Sequence, residues 1–167
     1  MDQDNIRIRT LQLSDTEALL AFEVQNREWF ERHIDARDSA FYSMQGVSEH
    51  IADYLSGLAA ATWHPFVIED ASGKIIGRAN LKDIDTWGRS AQIGYRIAQD
   101  ACGRGLATLA VKHLIQQAQS HWRLGRLQAN VYATNIGSVK VLLRCGFLPE
   151  RSNRDETGHD NWYGLSI

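Results

Sequence analysis

The sequence has few of the residues that mark secreted or fibrous proteins. Its 167 residues include only two cysteines, Cys102 and Cys145, and two prolines. The cysteines lack C-x-x-C spacing and are too few for a disulfide scaffold, so we interpret them as reduced thiols of an intracellular protein. The scarcity of proline and a hydrophobic fraction of 44% exclude collagen-like and disordered classes.

Long apolar runs and a strong net charge are also missing. No stretch approaches the roughly 18–20 apolar residues that cross a bilayer, and residues 1–5 lack the apolar core of a signal peptide. Eighteen Lys and Arg against 20 Asp and Glu give a net charge of −2, which disfavours DNA or RNA as the main ligand. We therefore expect a cytoplasmic protein with no membrane partner and no direct nucleic-acid partner.

Metal motifs and two phosphate-binding motifs are absent. The six histidines show neither H-x-x-x-H nor H-E-x-x-H spacing, so we expect no metal site. The Gly-Lys-Ser/Thr triplet of a Walker A loop does not occur. A dinucleotide-binding G-x-G-x-x-G pattern fails because Thr108 occupies the position of the third glycine.

Hydrophobic periodicity locates the first elements. Alternating apolar and polar residues predict a strand at 6–11. Ser14, with Glu17 three positions later, has the pattern of a capping box and predicts the start of a helix. Residues 35–47 show no clear period and are interpreted as a loop, and apolar spacing predicts a second helix from near Ser48.

The middle of the chain changes to the period of strands. Segments at 66–68, 74–81 and 93–97 predict an antiparallel meander, with turns at 70–73 and 85–88. A long helix then follows a pair of glycines described below.

The last third alternates strands and helices. A strand is predicted at 127–133, Asn135 caps the next helix, and Gly146 closes it. The tail predicts a hairpin that turns near residues 155–159. The element order βααβββαβαββ contains one parallel βαβ crossover, so the predicted fold class is α+β in a single domain spanning residues 1–167.

Two glycines between a strand and the long helix are the most informative feature. Gly103 and Gly105 let the backbone adopt positive φ and approach a ligand closely. The amides of residues 103–108 then form a helix N-terminus, which binds phosphate without a basic protein. Arg104 is placed to add one charge-assisted contact. An ordinary glycine-rich turn with nothing bound is the alternative interpretation.

The motifs, taken in order, resemble those of the GNAT superfamily of acyl-CoA-dependent N-acetyltransferases over essentially the whole chain. The pyrophosphate loop of that family, Q/R-x-x-G-x-G/A, matches residues 102–107 at every position except the first. Residues 93–97 resemble its fourth strand, and residues 135–147 resemble its Asn…Gly-Phe helix. Residues 7–15, and Ser138 three positions after the asparagine, resemble the RimJ/RimL-like branch that acetylates the N-termini of ribosomal proteins.

The resemblance implies a mixed, splayed β-sheet flanked by helices, with acetyl-CoA as co-substrate. It implies that the backbone of Tyr95, Arg96 and Ile97 pairs with the pantetheine arm, and that one amide polarises the thioester carbonyl. Asn135 is implied to bind the pantetheine region. The pyrophosphate is assigned to the loop residues Gly103, Arg104, Gly105, Leu106, Ala107 and Thr108.

The acid and bases used by relatives are missing from this chain. Leu142 stands where the family has a tyrosine acid, and Asn130 and Gln92 stand where it has bases. Ser138 is the remaining hydroxyl near the predicted site and is our catalytic candidate, as a hydrogen-bond donor to the leaving thiolate. Its alternative role is a first-turn helix cap. The base is left open between water and three carboxylates near the meander: Glu69, Asp83 and Asp85.

We therefore expect acetyl transfer to a primary amine by direct attack in a ternary complex, with a protein N-terminal α-amine, such as that of a ribosomal protein, as acceptor. A small amine or amino-acid-like acceptor is one alternative. The missing tyrosine and glutamate motivate another, a non-catalytic acyl-CoA-binding sensor. The sequence leaves open whether the chain forms a homodimer. It also leaves open whether four aromatic residues line an acceptor groove or the core: Trp29, Phe30, Phe41 and Tyr42.

Overall fold

A computed structural model describes residues 5–32, 35–132, 134–150 and 160–167. Its strands are β1 Arg7–Thr10, β2 His64–Glu69, β3 Ile75–Asp85, β4 Ser90–Ile97, β5 Arg126–Tyr132, β6 Leu148–Pro149 and β7 Asp160–Ser166. Its α-helices are α1 Thr16–Gln25, α2 Arg27–Glu31, α3 Met44–Ala59, α4 Leu106–Ser120 and α5 Ile136–Arg144. The strands form one sheet in the order β1-β2-β3-β4-β5-β7-β6.

The sheet is antiparallel apart from one parallel pair, β4 with β5. A parallel pair needs a crossover connection, and α4 provides it. The parallel register is short, because it joins residues 90–93 of β4 to residues 126–129 of β5. Both strands continue beyond this register without further pairing to each other, so the sheet splays open. The predicted α+β class and splayed sheet are confirmed.

Helices cover both faces of the sheet. Phe66 of β2 contacts His113 of α4. The next residue, Val67, pairs across the sheet with Arg78, which contacts Glu23 of α1. Successive strand residues point to opposite faces, so α1 and α4 lie on opposite sides of the sheet.

The core fills the space between these layers with aliphatic and aromatic side chains. Among the largest fully buried ones are Phe22, Ile51, Ile68, Leu81, Leu114 and Leu127. Burial of each such side chain contributes about 1.5–3 kcal/mol.

The first helix starts later than predicted. Residues Leu13–Asp15 form a 3-10 turn, and α1 begins only at Thr16. The Asp15 carboxylate accepts a hydrogen bond from the Gln12 backbone N–H at 2.8 Å. The capping box predicted from Ser14 and Glu17 is therefore wrong, because the reciprocal pair is Gln12 and Asp15, which cap the 3-10 turn that precedes α1.

The second predicted helix starts earlier than expected. α3 begins at Met44, and the Ser43 hydroxyl accepts a hydrogen bond from the Gly46 N–H at 2.9 Å. The predicted start near Ser48 is wrong because hydrophobic spacing marks the buried face of a helix but not its polar first turn. The loop predicted at 35–47 is correspondingly shorter.

The helix cap and the helix end predicted in the last third of the chain are confirmed. The Asn135 side chain accepts a hydrogen bond from the Ser138 N–H at 3.3 Å and caps α5. Gly146 follows the helix with a φ of +95°. β6 pairs antiparallel with β7, while the turn predicted near residues 155–159 lies outside the described residues.

His64 is a buried histidine held in one protonation state. Its Nδ1 accepts a hydrogen bond from the Trp122 indole N–H at 2.9 Å, and its Nε2 lies 3.0 Å from the Thr10 hydroxyl. Because an indole N–H only donates, Nδ1 carries no proton and the ring is neutral. Burial, together with the charges of His121 and His113, lowers the pKa of His64 to about 4.

We expect acid to destabilise the fold through His64. The unfolded imidazole has a pKa of about 6.5, so the unfolded state binds the proton first and stability is lost as pH falls from about 6.5 towards 4. Between about pH 7.5 and 5, the Tm of the wild type should fall about 4–8 °C more than that of His64→Gln. Melting curves measure this difference. Equal slopes of Tm against pH for the wild type and His64→Gln would reject the assignment.

Candidate active site

A cleft of about 1100 Å³ opens where β4 and β5 diverge. Backbone and side chains of both strands line it, together with the N-termini of α4 and α5. Residues 94–97 of β4 lie beyond the last pair with β5. The edge that β4 turns towards β5 therefore presents backbone N–H and C=O groups to the cleft, which is the geometry that accepts an extended, amide-containing arm as an added strand.

The start of α4 faces this cleft. Gly103 and Gly105 have φ values of +80° and +77°, and Gly105 is the residue that caps the helix. A Cβ on Gly103 would meet no atom within 4 Å, so open space adjoins the loop. The first bond of the helix runs from the Leu109 N–H to the Gly105 carbonyl, so the amides of residues 106–108 lack intrahelical acceptors. These donors and the helix dipole together suit a phosphate group.

Arg104 and Cys102 flank this helix start in different ways. The Arg104 guanidinium donates to the Asp100 carbonyl at 3.2 Å, and Arg104 is not among the residues that line the cleft. Cys102 lines the cleft, and its thiol donates to the Ala98 carbonyl at 3.4 Å. Partial burial, with the charge of Asp100, raises the pKa of Cys102, which keeps the thiol protonated at neutral pH.

The start of α5 forms another wall, where Asn135 and Ser138 line the cleft with Tyr95 of β4. The Tyr95 hydroxyl is buried beside the Ser138 side chain, but no group in the described residues meets it with hydrogen-bond geometry. Burial raises the pKa of Tyr95, and the neighbouring Ser138 partly opposes that rise. A second hydroxyl therefore adjoins Ser138, whereas the family resemblance implies a role only for the backbone of Tyr95.

The three carboxylates considered as bases do not line the cleft. Glu69 binds Arg9 at 3.1 Å, and Asp85 accepts hydrogen bonds from the amides of its own turn. Asp83 is exposed. Of the carboxylate and water candidates, the structure therefore favours water as the base.

The four aromatic residues left open by the sequence divide into two pairs. Trp29 and Phe30 line the cleft. Phe41 and Tyr42 do not, since Phe41 packs edge-on against Tyr42 and against His50, with ring centroids 5.1 Å apart in each pair.

A buried carboxylate lies beneath the half of the cleft that faces α1 and α3, which we call the acceptor half. Glu23 is 1% exposed, and it receives hydrogen bonds from Arg78 at 2.9 Å and Arg96 at 3.1 Å. An Arg37 nitrogen lies 3.7 Å from the same carboxylate. Burial alone would raise the pKa of Glu23, but the three arginines together lower it.

Arg78 also fixes the state of a neighbouring histidine. Its guanidinium donates to His50 Nε2 at 2.8 Å, which requires that this nitrogen carry no proton. Burial, then the charges of Arg78 and its neighbours, lowers the pKa of His50 to about 2. No sequence pattern connects Glu23 to this cluster, because its partners come from a loop and from two strands.

Among the residues that the structure describes, no three His, Cys, Asp or Glu side chains converge to hold a metal ion. No helix there is long and apolar enough to cross a membrane.

Comparisons with known proteins agree with this geometry. A family model described as an acetyltransferase (GNAT) domain matches residues 5–148. YjcK of Bacillus subtilis, named a probable N-acetyltransferase, is 31% identical over 147 residues, covering 87% of this chain and 81% of its own.

Solved structures share the fold. Ribosomal-protein-S5-alanine acetyltransferase of Vibrio fischeri superimposes with a TM-score of 0.89 at 21% identity, covering 99% of this chain and 95% of its own. RimL, a ribosomal L7/L12 α-N-protein acetyltransferase in complex with coenzyme A, has a TM-score of 0.84 at 19% identity. The match covers 98% of this chain and 94% of the RimL chain. Because the family model spans most of the chain, the protein belongs to the GNAT acetyltransferase family and is an N-acetyltransferase that uses acetyl-CoA.

Proposed function

We propose that the protein transfers the acetyl group of acetyl-CoA to the α-amine of a protein N-terminus, by direct attack of the neutral amine on the thioester. The observation that carries this proposal is the open wedge between β4 and β5, which joins a phosphate-binding helix start to a separate acceptor half. The acceptor class is supported by the names of the two structural neighbours, both ribosomal-protein acetyltransferases. Residues 1–167 are proposed to form a single N-acetyltransferase domain.

The residues of the wedge fit acetyl-CoA. The backbone of residues 95–97 is assigned to the pantetheine arm, and the amides of residues 103–108 to the pyrophosphate. Asn135 lines the opposite wall and is assigned to the pantetheine region. A β4 amide at this edge stabilises negative charge as it develops on the thioester oxygen, which is commonly the largest electrostatic contribution in acyl transfer.

The amide cradle is tested by a pair of loop variants. Gly105→Val should abolish acetyl-CoA binding, because a β-branched residue is strained at a φ of +77° and its side chain blocks the backbone. Arg104→Ala should change affinity little, since the proposed donors are backbone amides. Calorimetric titration with acetyl-CoA measures both, and melting curves verify folding. Greater damage from Arg104→Ala would reject the amide cradle.

The reaction itself is tested by free thiol released from acetyl-CoA. Peptides with a free N-terminus should release thiol, and the same peptides with a blocked N-terminus should not. Faster release with small amines would instead support the metabolite alternative. Thermal stabilisation by acetyl-CoA without acceptor-dependent thiol would support the sensor. No stabilisation by any acyl-CoA would exclude all three.

Ser138 is assigned to the leaving thiolate. Because Asn135 already caps α5, the Ser138 hydroxyl is not needed as the cap. Ser138→Ala should lower kcat roughly tenfold to a hundredfold and leave acetyl-CoA affinity nearly unchanged, since the hydroxyl acts only as charge develops on sulfur. Single-turnover rates measure this effect.

The matched comparison is Tyr95→Phe, which removes the neighbouring hydroxyl and keeps the β4 backbone. We expect it to reduce kcat less than Ser138→Ala does. A helix-capping role for Ser138 would give a stability loss of about 1 kcal/mol with normal turnover, and that result would remove Ser138 from the mechanism.

A further inference from the structure

The acceptor half of the cleft carries an excess of positive charge. Four cationic side chains line it: Arg37, Arg78, Lys82 and Arg96. Two carboxylates oppose them, the buried Glu23 beneath and Asp35 in the lining. His50 adds no charge, because its low pKa keeps it neutral.

The strand register places this charge next to the reacting edge. Arg78 of β3 lies directly opposite Arg96 of β4, and Asn80 lies opposite Gly94. Gly94 follows the last residue of β4 that pairs with β5. Alternate residues of a strand share one face, so the Cα of Arg96 is about 7 Å from that of Gly94 on the same side. An amine that attacks at this edge therefore lies close to the cations.

Two of the arginines that line the cleft keep donors that Glu23 does not engage. Arg78 is 3% exposed and is engaged by Glu23 and His50, so its role is structural. Arg96 is 18% exposed and Arg37 is 23% exposed. The Arg37 nitrogen nearest to Glu23 is 3.7 Å away, beyond hydrogen-bond range, and Arg37 Nε is buried with no partner among the described residues.

Aromatic rings hold both guanidinium groups in place. The Arg96 guanidinium lies 4.8 Å from the centre of the Phe30 ring, and that of Arg37 lies 4.5 Å from the Phe41 ring. A guanidinium has five N–H donors, and Glu23 occupies only some of them. The pair is thus a fixed set of charged donors beside the acceptor position.

We propose that Arg37 and Arg96 bind a carboxylate that the acceptor carries close to its amine. This inference rests on the proposed function, because it takes the attacking amine to lie at the β4 edge. A carboxylate gains charge-assisted hydrogen bonds there, whereas a second ammonium group is repelled. The carboxylate belongs either to an acidic residue near a protein N-terminus or to a free amino acid, and the chemistry is the same.

The same charge acts on the amine itself. Nearby cations disfavour the ammonium form and lower its pKa, so the acceptor loses its proton to water more readily. Deprotonation by water suits this cleft, because none of Glu69, Asp83 and Asp85 lines it. The positive charge of the acceptor half thus takes over part of the work of a missing base.

The test uses three peptides that differ only at the second position, which carries aspartate, asparagine or lysine. Thiol release gives kcat/KM for each. We expect the aspartate peptide to exceed the asparagine peptide at least tenfold and the lysine peptide about a hundredfold, mainly through KM. Serine and serinamide are compared in the same way, because they differ only in the free carboxylate. If serine is preferred over serinamide but the peptides react equally, the carboxylate site is supported with a free amino acid as its ligand.

Arginine variants test whether Arg37 and Arg96 cause the preference for the aspartate peptide. Arg37→Gln and Arg96→Gln should each bring the ratio of the aspartate and asparagine peptides close to 1. Arg37→Glu should turn the preference towards the lysine peptide, and its long contact with Glu23 makes Arg37 the safer site if Arg96→Gln fails to fold. Arg7→Gln is the matched control, because Arg7 is 72% exposed and lies outside the cleft.

The outcomes separate this inference from the proposed function. The carboxylate site would be overturned if thiol release were equal for the aspartate and asparagine peptides and also equal for serine and serinamide. That result would leave the transferase function intact. A wild-type preference that persists in Arg37→Gln and Arg96→Gln would also overturn it. If acetyl-CoA binds and no acceptor releases thiol, the proposed function fails first.

Discussion

The short register between β4 and β5 determines where this protein can hold a ligand. Each of the two strands is fully committed on its outer side, β4 to β3 and β5 to β7. On their inner sides they share only residues 90–93 and 126–129. Backbone polar groups beyond that point need water or a ligand as partner, since unpaired ones are costly when buried. The wedge is therefore a consequence of the sheet topology, and the two helix starts at its walls follow from the connections that leave β4 and β5.

Glu23 organises the face of the sheet that α1 covers, beneath the acceptor half of the cleft. It joins α1 to β3, to β4 and to the segment that carries Arg37 through one buried carboxylate. Removing Glu23 would leave Arg78 buried without its counter-charge, and breaking a buried ion pair in this way costs about 3–5 kcal/mol. The arrangement holds the guanidinium groups in place, so the proposed carboxylate would leave little ordering to occur on binding.

Features with a local physical cause were predictable from the sequence. The glycine pair, the Asn135 cap and the Gly146 terminus depend on backbone conformation within a few residues, and the structure has each of them in place. The helix starts were less predictable, because the capping box pairs Asp15 with Gln12, and glutamine is not a residue type typical of an N-cap. Glu23 was not recognised, since it lies 55 residues from Arg78 and 73 from Arg96 along the chain.

This contrast follows from what each half of the cleft is made of. The part assigned to acetyl-CoA consists of backbone amides at a strand edge and a helix start, and glycine spacing reports those positions directly. The acceptor half consists of side-chain charges that only the strand register and a loop bring together. Such charges can change without disturbing the backbone that would hold the cofactor. A sequence motif therefore identifies the acyl donor of this fold, whereas the acceptor has to be inferred from the charges that meet over the sheet.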